Sequence, residues 1–590
     1  MEKKNLAIIL LAVVLAVSGI GNIILAVQVG VIEVVAPPRG QDLVYGTTQG
    51  DIVYLDPAYA YDSASIAVLD QVVERLYRFN LTDPTYAAEP WLASALPTIS
   101  PDGLEYTIPL RTGIMFHDNT TLTASDVKWS FDRLMWFCNY SGNQYLPAPF
   151  NGSLPNSLPS GVPTPTQLWG AIYMNPDGTP IINETIVVDD YTVKFILNMP
   201  RGAFFNILPF CGSSILSPDS TPANDYLALY EDLIGTGPFM FDSFTAGVEI
   251  KLSAFYLEGN GDTHIEYWQG RPVLDTITYV VISTLDVMNQ ALLSGDIDIL
   301  TAMDPAFLDQ HDADPDITLH YAGGTLSTTW ITMNVNEMNV GMREATAYAL
   351  NYSYVVDTIY ERTAVRWPTF IPMGITYANY TLDYPTFDRT HARAVLLADP
   401  VYGARCTTEG LTVSSTDQDW RDVAASSTPL DTFNITWNFG NDLRGEVADR
   451  LDYDMSFIGV NIGVYSRAWA DLLPFITFRS AELDMYTLGW GPDYLDPENY
   501  ISPIWSNTTL LNGGDYNAPD VQQLMKDGII EVDLVKRKAI YDEIQQKMVE
   551  RDYPGIPLIT ALNYDAWKNE VVGFPSNAIN NIWFYDVYLA

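Results

Sequence analysis

Two hydrophobic rhythms, one of period two and one of helical spacing, alternate from about residue 42 to the end of the chain. DLVYGTTQGDIVYLDP reads as strand closing on an Asp56–Pro57 turn. SIAVLDQVVERLYRF repeats apolar residues at helical spacing, which predicts one helix through Phe79. TYAAEPWLASALPTISPDGLEYTIPLRTGIMFHD reads as loop and hairpin with a turn at Pro101–Gly103, and TASDVKWSFDRLMWF as a capped amphipathic helix. Strand patterns return at YTVKFILN and LDTITYVVI, helical ones at MREATAYALNYSYVVDTIYER and VKRKAIYDEIQQKMVERD. Residues 139–185, rich in Pro, Asn, Ser and Gly, and roughly 404–432 follow neither rhythm and are expected to be irregular surface. Strands and helices intermix without an internal repeat, so the class is α/β.

The N-terminus differs. Lys3 and Lys4 precede a stretch without charge from Asn5 to Ile32. About 20 apolar residues span a bilayer, so an uncleaved membrane anchor is expected over residues 1–37, with VAPPRGQD as spacer. The lysines favour an inside N-terminus, which places the remainder outside the cell. Cleavage after a small residue near Ala26 is the alternative. No cysteine follows the apolar run, which excludes a lipid anchor on cysteine.

At 590 residues the chain is too long for one core, so two or three lobes are expected. With 72 acidic and 30 basic residues the net charge is −42, which repels nucleic acid and anionic headgroups. Such a surface attracts cations or exposed amines, or serves solubility alone. Nine Asn-x-Ser/Thr sequons (at Asn80, Asn119, Asn139, Asn151, Asn183, Asn351, Asn379, Asn434 and Asn507) fit an exterior chain. Three cysteines without a CxxC pair, and five scattered histidines, spell no metal centre. GxSxG, HExxH and P-loop motifs are absent, and GTGPF lacks the rest of a dinucleotide fingerprint. His117 in the turn FHD is expected to be structural. Asp189–Asp190 and Asp493 with Asp496 are acid pairs that a glycosidase would need, but among 72 acids such pairs arise by chance. No catalytic set and no cofactor is implied.

In order along the chain, DGLEYTIPLRTGIMFHDNTTLTASDVKWSFDRL, VVDDYTVKFIL, GTGPFMFDSF, LLSGDIDIL, WITMNVN…MREATAYALN, GWGPDYLDPENY and RKAIYDEIQQKMVERDYPGIPLI resemble motifs of the family 5 extracytoplasmic solute-binding proteins of ABC transporters. Asn119 stands where that family usually has glycine. The resemblance covers about residues 42–588. It implies a periplasmic-binding-protein-like bilobal clamp: lobe I at 42–85, 200–324 and 562–590, a subdomain of that lobe at 86–199, and lobe II at 325–561. Crossings between lobes would lie near Thr325–Thr329 and Leu562–Trp567. It also implies capture of a peptide or other small solute by closure, with delivery to permease subunits.

In peptide-binding members the loop similar to GWGPDYLDP lines the cleft and its acid pairs with the ligand's α-ammonium, which implies that role for Asp493. At about 4 Å and an effective dielectric of about 20 such a pair gains roughly 4 kcal/mol before desolvation. Gly489 and Gly491 would admit backbone close to the ligand, with Trp490 and Tyr494 as rigid walls. Pro492 lacks an N–H for strand-like pairing with peptide, which keeps an oligosaccharide receptor of the same fold open. A surface hydrolase or adhesin is the reading from another class. Tyr61, Asp62 and Ser63 would face the ligand, although Tyr61 and Asp62 equally suit a packed ring and a helix cap. Trp505 is a candidate second wall. The resemblance also puts Cys138 and Cys211 in one lobe, where they are expected to pair.

Overall fold

The computed structural model describes most of the chain from Gly40 to Ala590, apart from 48–54, 139–171, 256–271 and shorter gaps that include Tyr61 and Asp62. The expected anchor lies outside the described residues, save for Leu25–Gln28 paired antiparallel with Val31–Val34. Among the described residues no helix is long and apolar enough to cross a membrane.

One sheet runs through the molecule. Its strands are β1 (Asp42–Thr47), β2 (Phe239–Thr245), β3 (Glu249–Ala254), β4 (Thr276–Val281), β5 (Ile299–Leu300), β6 (Ile317–Met333), β7 (Asp431–Asn438), β8 (Val460–Arg467), β9 (Met485–Trp490) and β10 (Gly555–Lys568). Their order is β2-β3-β4-β1-β5-β10-β6-β9-β7-β8, with Ala364–Arg366 added beside β10. The long antiparallel pair β6–β10 belongs to both halves. Its outer end meets β5 through Ile299↔Trp567, and its inner end meets β9 from Thr328↔Trp490 to Met333↔Met485. Between these ends the register slips: Gly324 faces Leu562 and Thr328 faces Thr560, which leaves Thr325, Leu326 and Ser327 opposite Ala561 alone. Just before it, a separate slip between Tyr321 and Gly323 is taken up by Gly323, at φ 101° in the left-handed region.

Apolar side chains collect on both sides of that bulge, as a bilobal clamp requires. Leu43, Tyr45, Phe131, Phe195, Ile250, Ile277 and Phe584 share one core. Beyond the bulge, Ile331, Met342, Ile435, Leu451 and Ile556 form a second, and Trp330, Phe370, Ile476, Leu488 and Trp505 a third. Helix α1 (Ser63–Val72) and helix α2 (Ala124–Cys138) pack in the first core. Helix α3 (Asp442–Ser456) buries Val447 and Leu451 in the second, whereas helix α4 (Trp469–Phe478) buries Leu472 and Ile476 in the third. These two crossovers therefore cover opposite faces of β7–β8–β9.

Some expectations give way here. The helix read through Phe79 ends at Val72, and Glu74–Arg75 and Tyr77–Phe79 become strands. GTGPF ends it: Gly237 N donates to Val72 O at 3.0 Å, and a Cβ at Gly235 or Gly237 would collide with the carbonyls of Val72 and Gln71. His117 seals this packing, accepting from Gly235 N at Nδ1 (3.4 Å) and so donating from Nε2 to Gly237 O (2.9 Å). Asn119 has φ 68°, a conformation open to asparagine where a relative would use glycine. The patch 404–432 is not irregular throughout. It holds helices Tyr402–Thr408 and Asp417–Ala424, the latter opened by a Thr416–Asp419 capping box and pinned by buried Trp420. Cys138 and Cys211 are buried free thiols, not a disulfide. A shared core does not by itself bring two sulfurs into bonding geometry, and burial pushes the Cys211 thiol up to about 12.

Candidate ligand-binding cleft

Strands β7, β8 and β9 are parallel, and the chain passes from β7 outward to β8 and back across to β9. The helices of these two crossovers lie on opposite faces, so a crevice opens at the carboxyl ends of β7 and β9. Open α/β sheets bind ligands at such a point. GWGPDYLDPENY leaves β9 there and ends in helix α5 (Glu498–Trp505).

Close approach explains the glycines. A Cβ on Gly489 would fall 2.5 Å from Arg444 Nη2 and 3.2 Å from Thr329 Oγ1, and one on Gly491 would fall 3.2 Å from Ser327 Oγ in the interlobe bulge. Asp493 is half-buried, and Asn499 braces it. The Asn499 Nδ2 donates to Asp493 Oδ2 at 2.7 Å, and its Oδ1 accepts from Asp493 N at 2.9 Å and from Trp490 Nε1 at 3.3 Å. Asn499 is itself 0% exposed. One neutral amide therefore sets both the carboxylate and the indole. Asn499 went unrecognised in the sequence.

Two proposed wall residues are not walls. Tyr494 is 0% exposed and packs in the first core, so the loop drives its ring across the seam between the lobes. Trp505 is 1% exposed, with its ring 4.6 Å from Phe370 and 6.0 Å from Trp330, and belongs to the third core. Trp490 is half-buried and Gly491 exposed. Tyr61 and Asp62 lie outside the described residues, and Ser63 opens α1.

The far end of the loop is a charge cluster that sequence reading did not anticipate. Arg537, in helix α6 (Leu534–Lys547), grips Asp496 through two bonds of 2.6 and 2.7 Å. Arg201, from the first core's side, pairs with Glu498, and Asn206 Nδ2 donates to Leu495 O at 3.2 Å. Both members of each ion pair are buried. Burial pushes the Glu498 carboxyl up to about 7, outweighing the Arg201 charge that favours its ionised form. Asp496 is thus committed to an arginine, which removes Asp493–Asp496 as an acid pair for hydrolysis. Asp189 closes the strand Ile182–Asp189, accepting from Tyr191 N at 2.9 Å.

Comparison with known proteins bears on this geometry. A family model described as bacterial extracellular solute-binding proteins, family 5 middle, matches residues 87–512. The dipeptide-binding protein of Escherichia coli (strain K12) is 24% identical over 96% of this chain and 98% of its own length. Heme-binding protein A of Haemophilus influenzae is 25% identical over 90% of this chain and 88% of its own. The periplasmic binding protein DppA from Helicobacter pylori, solved in complex with the peptide STSA, superposes with a TM-score of 0.72 at 23% identity, covering 93% of this chain and 98% of its own. With the matched span taking in both sides of the interlobe bulge and the loop at the switch point, the chain belongs to the bacterial extracellular solute-binding proteins of family 5.

Proposed function

We propose that this protein captures short peptides outside the cytoplasm and hands them to the permease of an ABC importer. The observation that carries the reading is the Asp493 carboxylate, held by Asn499 on a loop that rises at the switch point beside the interlobe bulge. A peptide's α-ammonium bound there would contact one lobe, and closure would bring in the other, so ligand favours the closed form. The relatives named for dipeptides and the STSA complex support this choice of solute. Trp490 and Gly491 are the loop's further ligand contacts in this reading, with Tyr61, Asp62 and Ser63 opposite.

The lobes are assigned to 42–85, 200–324 and 562–590, with the subdomain 86–199, and to 325–561. The charge-free stretch Asn5–Ile32 is assigned as an N-terminal anchor that keeps the lobes at the outer face of the membrane.

Thermal-shift screening of the purified full chain tests the solute class. A peptide at 100 times its Kd adds about 2.7 kcal/mol of stability. Shifts with cello- or manno-oligosaccharides and none with di- to tetrapeptides would sink the reading.

A further inference from the structure

A cavity separate from the cleft opens at the far end of α1. Ser63 begins that helix on the side assigned to the ligand, and Val73, which follows it, lines the cavity about 15 Å away. The space is about 250 Å³, bounded by Trp91, Trp583, Arg78, Glu74, Asn581 and Asp586 among others. None of its lining residues belongs to the second or third core or to the loop 489–500.

The lining is aromatic and polar together. The Arg78 guanidinium lies 3.5 Å over the Trp91 ring, and Trp583 stands edge-on to Trp91 at 5.6 Å. Arg78 Nε donates to Glu89 at 2.7 Å, Trp91 Nε1 donates to Glu74 at 2.6 Å, and Arg75 pairs with Asp70. The terminal nitrogens of Arg78 have no partner among the described residues. Carboxylates and guanidiniums line the space side by side, so an ion of either sign meets like charge as well as opposite. A sugar ring meets no such conflict. Its C–H faces suit indole rings, and each hydroxyl both donates and accepts. The volume falls below the roughly 300–1,000 Å³ of pockets for larger ligands, which suits a single ring.

The wall of this pocket is also fastened to the hinge. The stretches 573–579 and 581–586 supply Trp583, Asn581 and Asp586 to the pocket. Between them, Ser576 Oγ donates to Asp565 in β10 and lies 2.9 Å from His320 Nδ1 in β6. Asn563 Nδ2, also in β10, donates to Asn577 O at 2.9 Å, and Leu326 N, in the interlobe bulge, donates to Ala578 O at 3.1 Å. Buried Asn577 knits the wall, donating to Pro575 O and Asn581 O and accepting from Ile579 N. A turn of the lobes that moves Leu326 therefore pulls on the pocket. An occupant with different affinity for the two lobe arrangements shifts the balance between them.

We propose that this pocket is a second binding site, taking one neutral sugar ring that tunes ligand affinity in the cleft through the wall fastened to the hinge. The ring could be a free monosaccharide or the last residue of a glycan.

Titration calorimetry of the full chain tests it, with glucose, galactose, mannose and N-acetylglucosamine, each free and as its methyl glycoside, and with alanine as a charged control. At least one sugar should bind, and Trp583→Ala or Asp586→Ala should weaken it about tenfold. Binding of the glycoside as tight as that of the free sugar marks a glycan residue; binding of the free sugar alone marks a soluble ligand. Asp493→Asn should leave sugar binding unchanged, and its loss there would move the sugar to the cleft and overturn the assignment. No binding by any sugar, or binding by alanine alone, overturns it too. Saturating sugar should change trialanine affinity about fivefold or more, and trialanine should change sugar affinity by the same factor. Ser576→Ala, which cuts the wall from β6 and β10, should shrink that factor. Sugar binding with trialanine affinity unmoved defeats the tuning role. This arm rests on the peptide reading: if trialanine does not bind at all, that reading fails, while the sugar arm still decides the pocket.

Discussion

Asp493 and Asp496 stand on the same loop, yet the fold treats their carboxylates in opposite ways. Asp496 is buried under the two-pronged grip of Arg537, beside a second buried pair, Arg201–Glu498, that joins the two sides of the molecule. Asp493 is half-buried and braced by the neutral amide of Asn499. A guanidinium cancels an acid's charge and turns it into a fastening. An amide orients the acid without cancelling its charge. In a chain of 72 acids, counting carboxylates finds neither role; the identity of the partner does.

The largest effect should come from breaking the fastened end. Arg537→Ala leaves Asp496 buried without its cation, which costs about 3–5 kcal/mol. Urea unfolding measures it, and a loss below about 1 kcal/mol would show that this end is not the fastening described. Asp493→Asn should do the reverse: nearly unchanged unfolding, with peptide affinity lowered by about 2–5 kcal/mol. Acetylating the ligand's amine should then add little to that loss. Intact affinity in this variant would return Asp493 to the rank of an ordinary turn residue.

A smaller loss is expected from Asn499→Ala, which keeps the Asp493 charge but removes its brace and the acceptor that Asn499 offers the Trp490 indole. About 1–3 kcal/mol of affinity should go, together with a change in Trp490 emission. If Asn499→Asp, which retains only the acceptor side, binds as tightly as the original protein, the brace is unnecessary.

The smallest effect is a pH slope. Folding raises the Glu498 carboxyl from about 4.5 to about 7. Between those values the folded protein keeps a proton that the unfolded chain has released, so this group's contribution to stability falls as pH rises through the window. Glu498→Gln removes that contribution, and its Tm should decline less from pH 5 to pH 7 than that of the unaltered protein. Identical slopes would mean that Arg201 holds Glu498 ionised throughout.

Much of the molecule was legible before folding because its causes are local. Alternation and helical spacing marked the strands Thr192–Leu197 and Thr276–Val281 and the helix Ala124–Cys138, since each is decided by which of its own residues turn inward. Asn119 stood out for a similar reason, since a left-handed backbone restricts the residue type at a single position, whereas the loop glycines, expected to admit a ligand, make room for Arg444, Thr329 and Ser327. The order of these motifs likewise carried the family.

Other features depend on partners remote in sequence, and only the tertiary structure decided them. Apolar rhythm continued past Val72, but the GTGPF loop occupied that helix's end from more than 150 positions away. Tyr494 and Trp505 have the side chains of a ligand wall, and long-range packing drew each into a different core. Arg201 and Glu498 meet across 297 positions, and no periodicity reports such a pairing. Periodicity records that a residue is buried. Which charge or ring it meets there is set by strand order, by the bulge in β6 and by the crossing of the lobes. That is how one acid of the loop became a fastening while another, three residues away, is braced by a neutral amide.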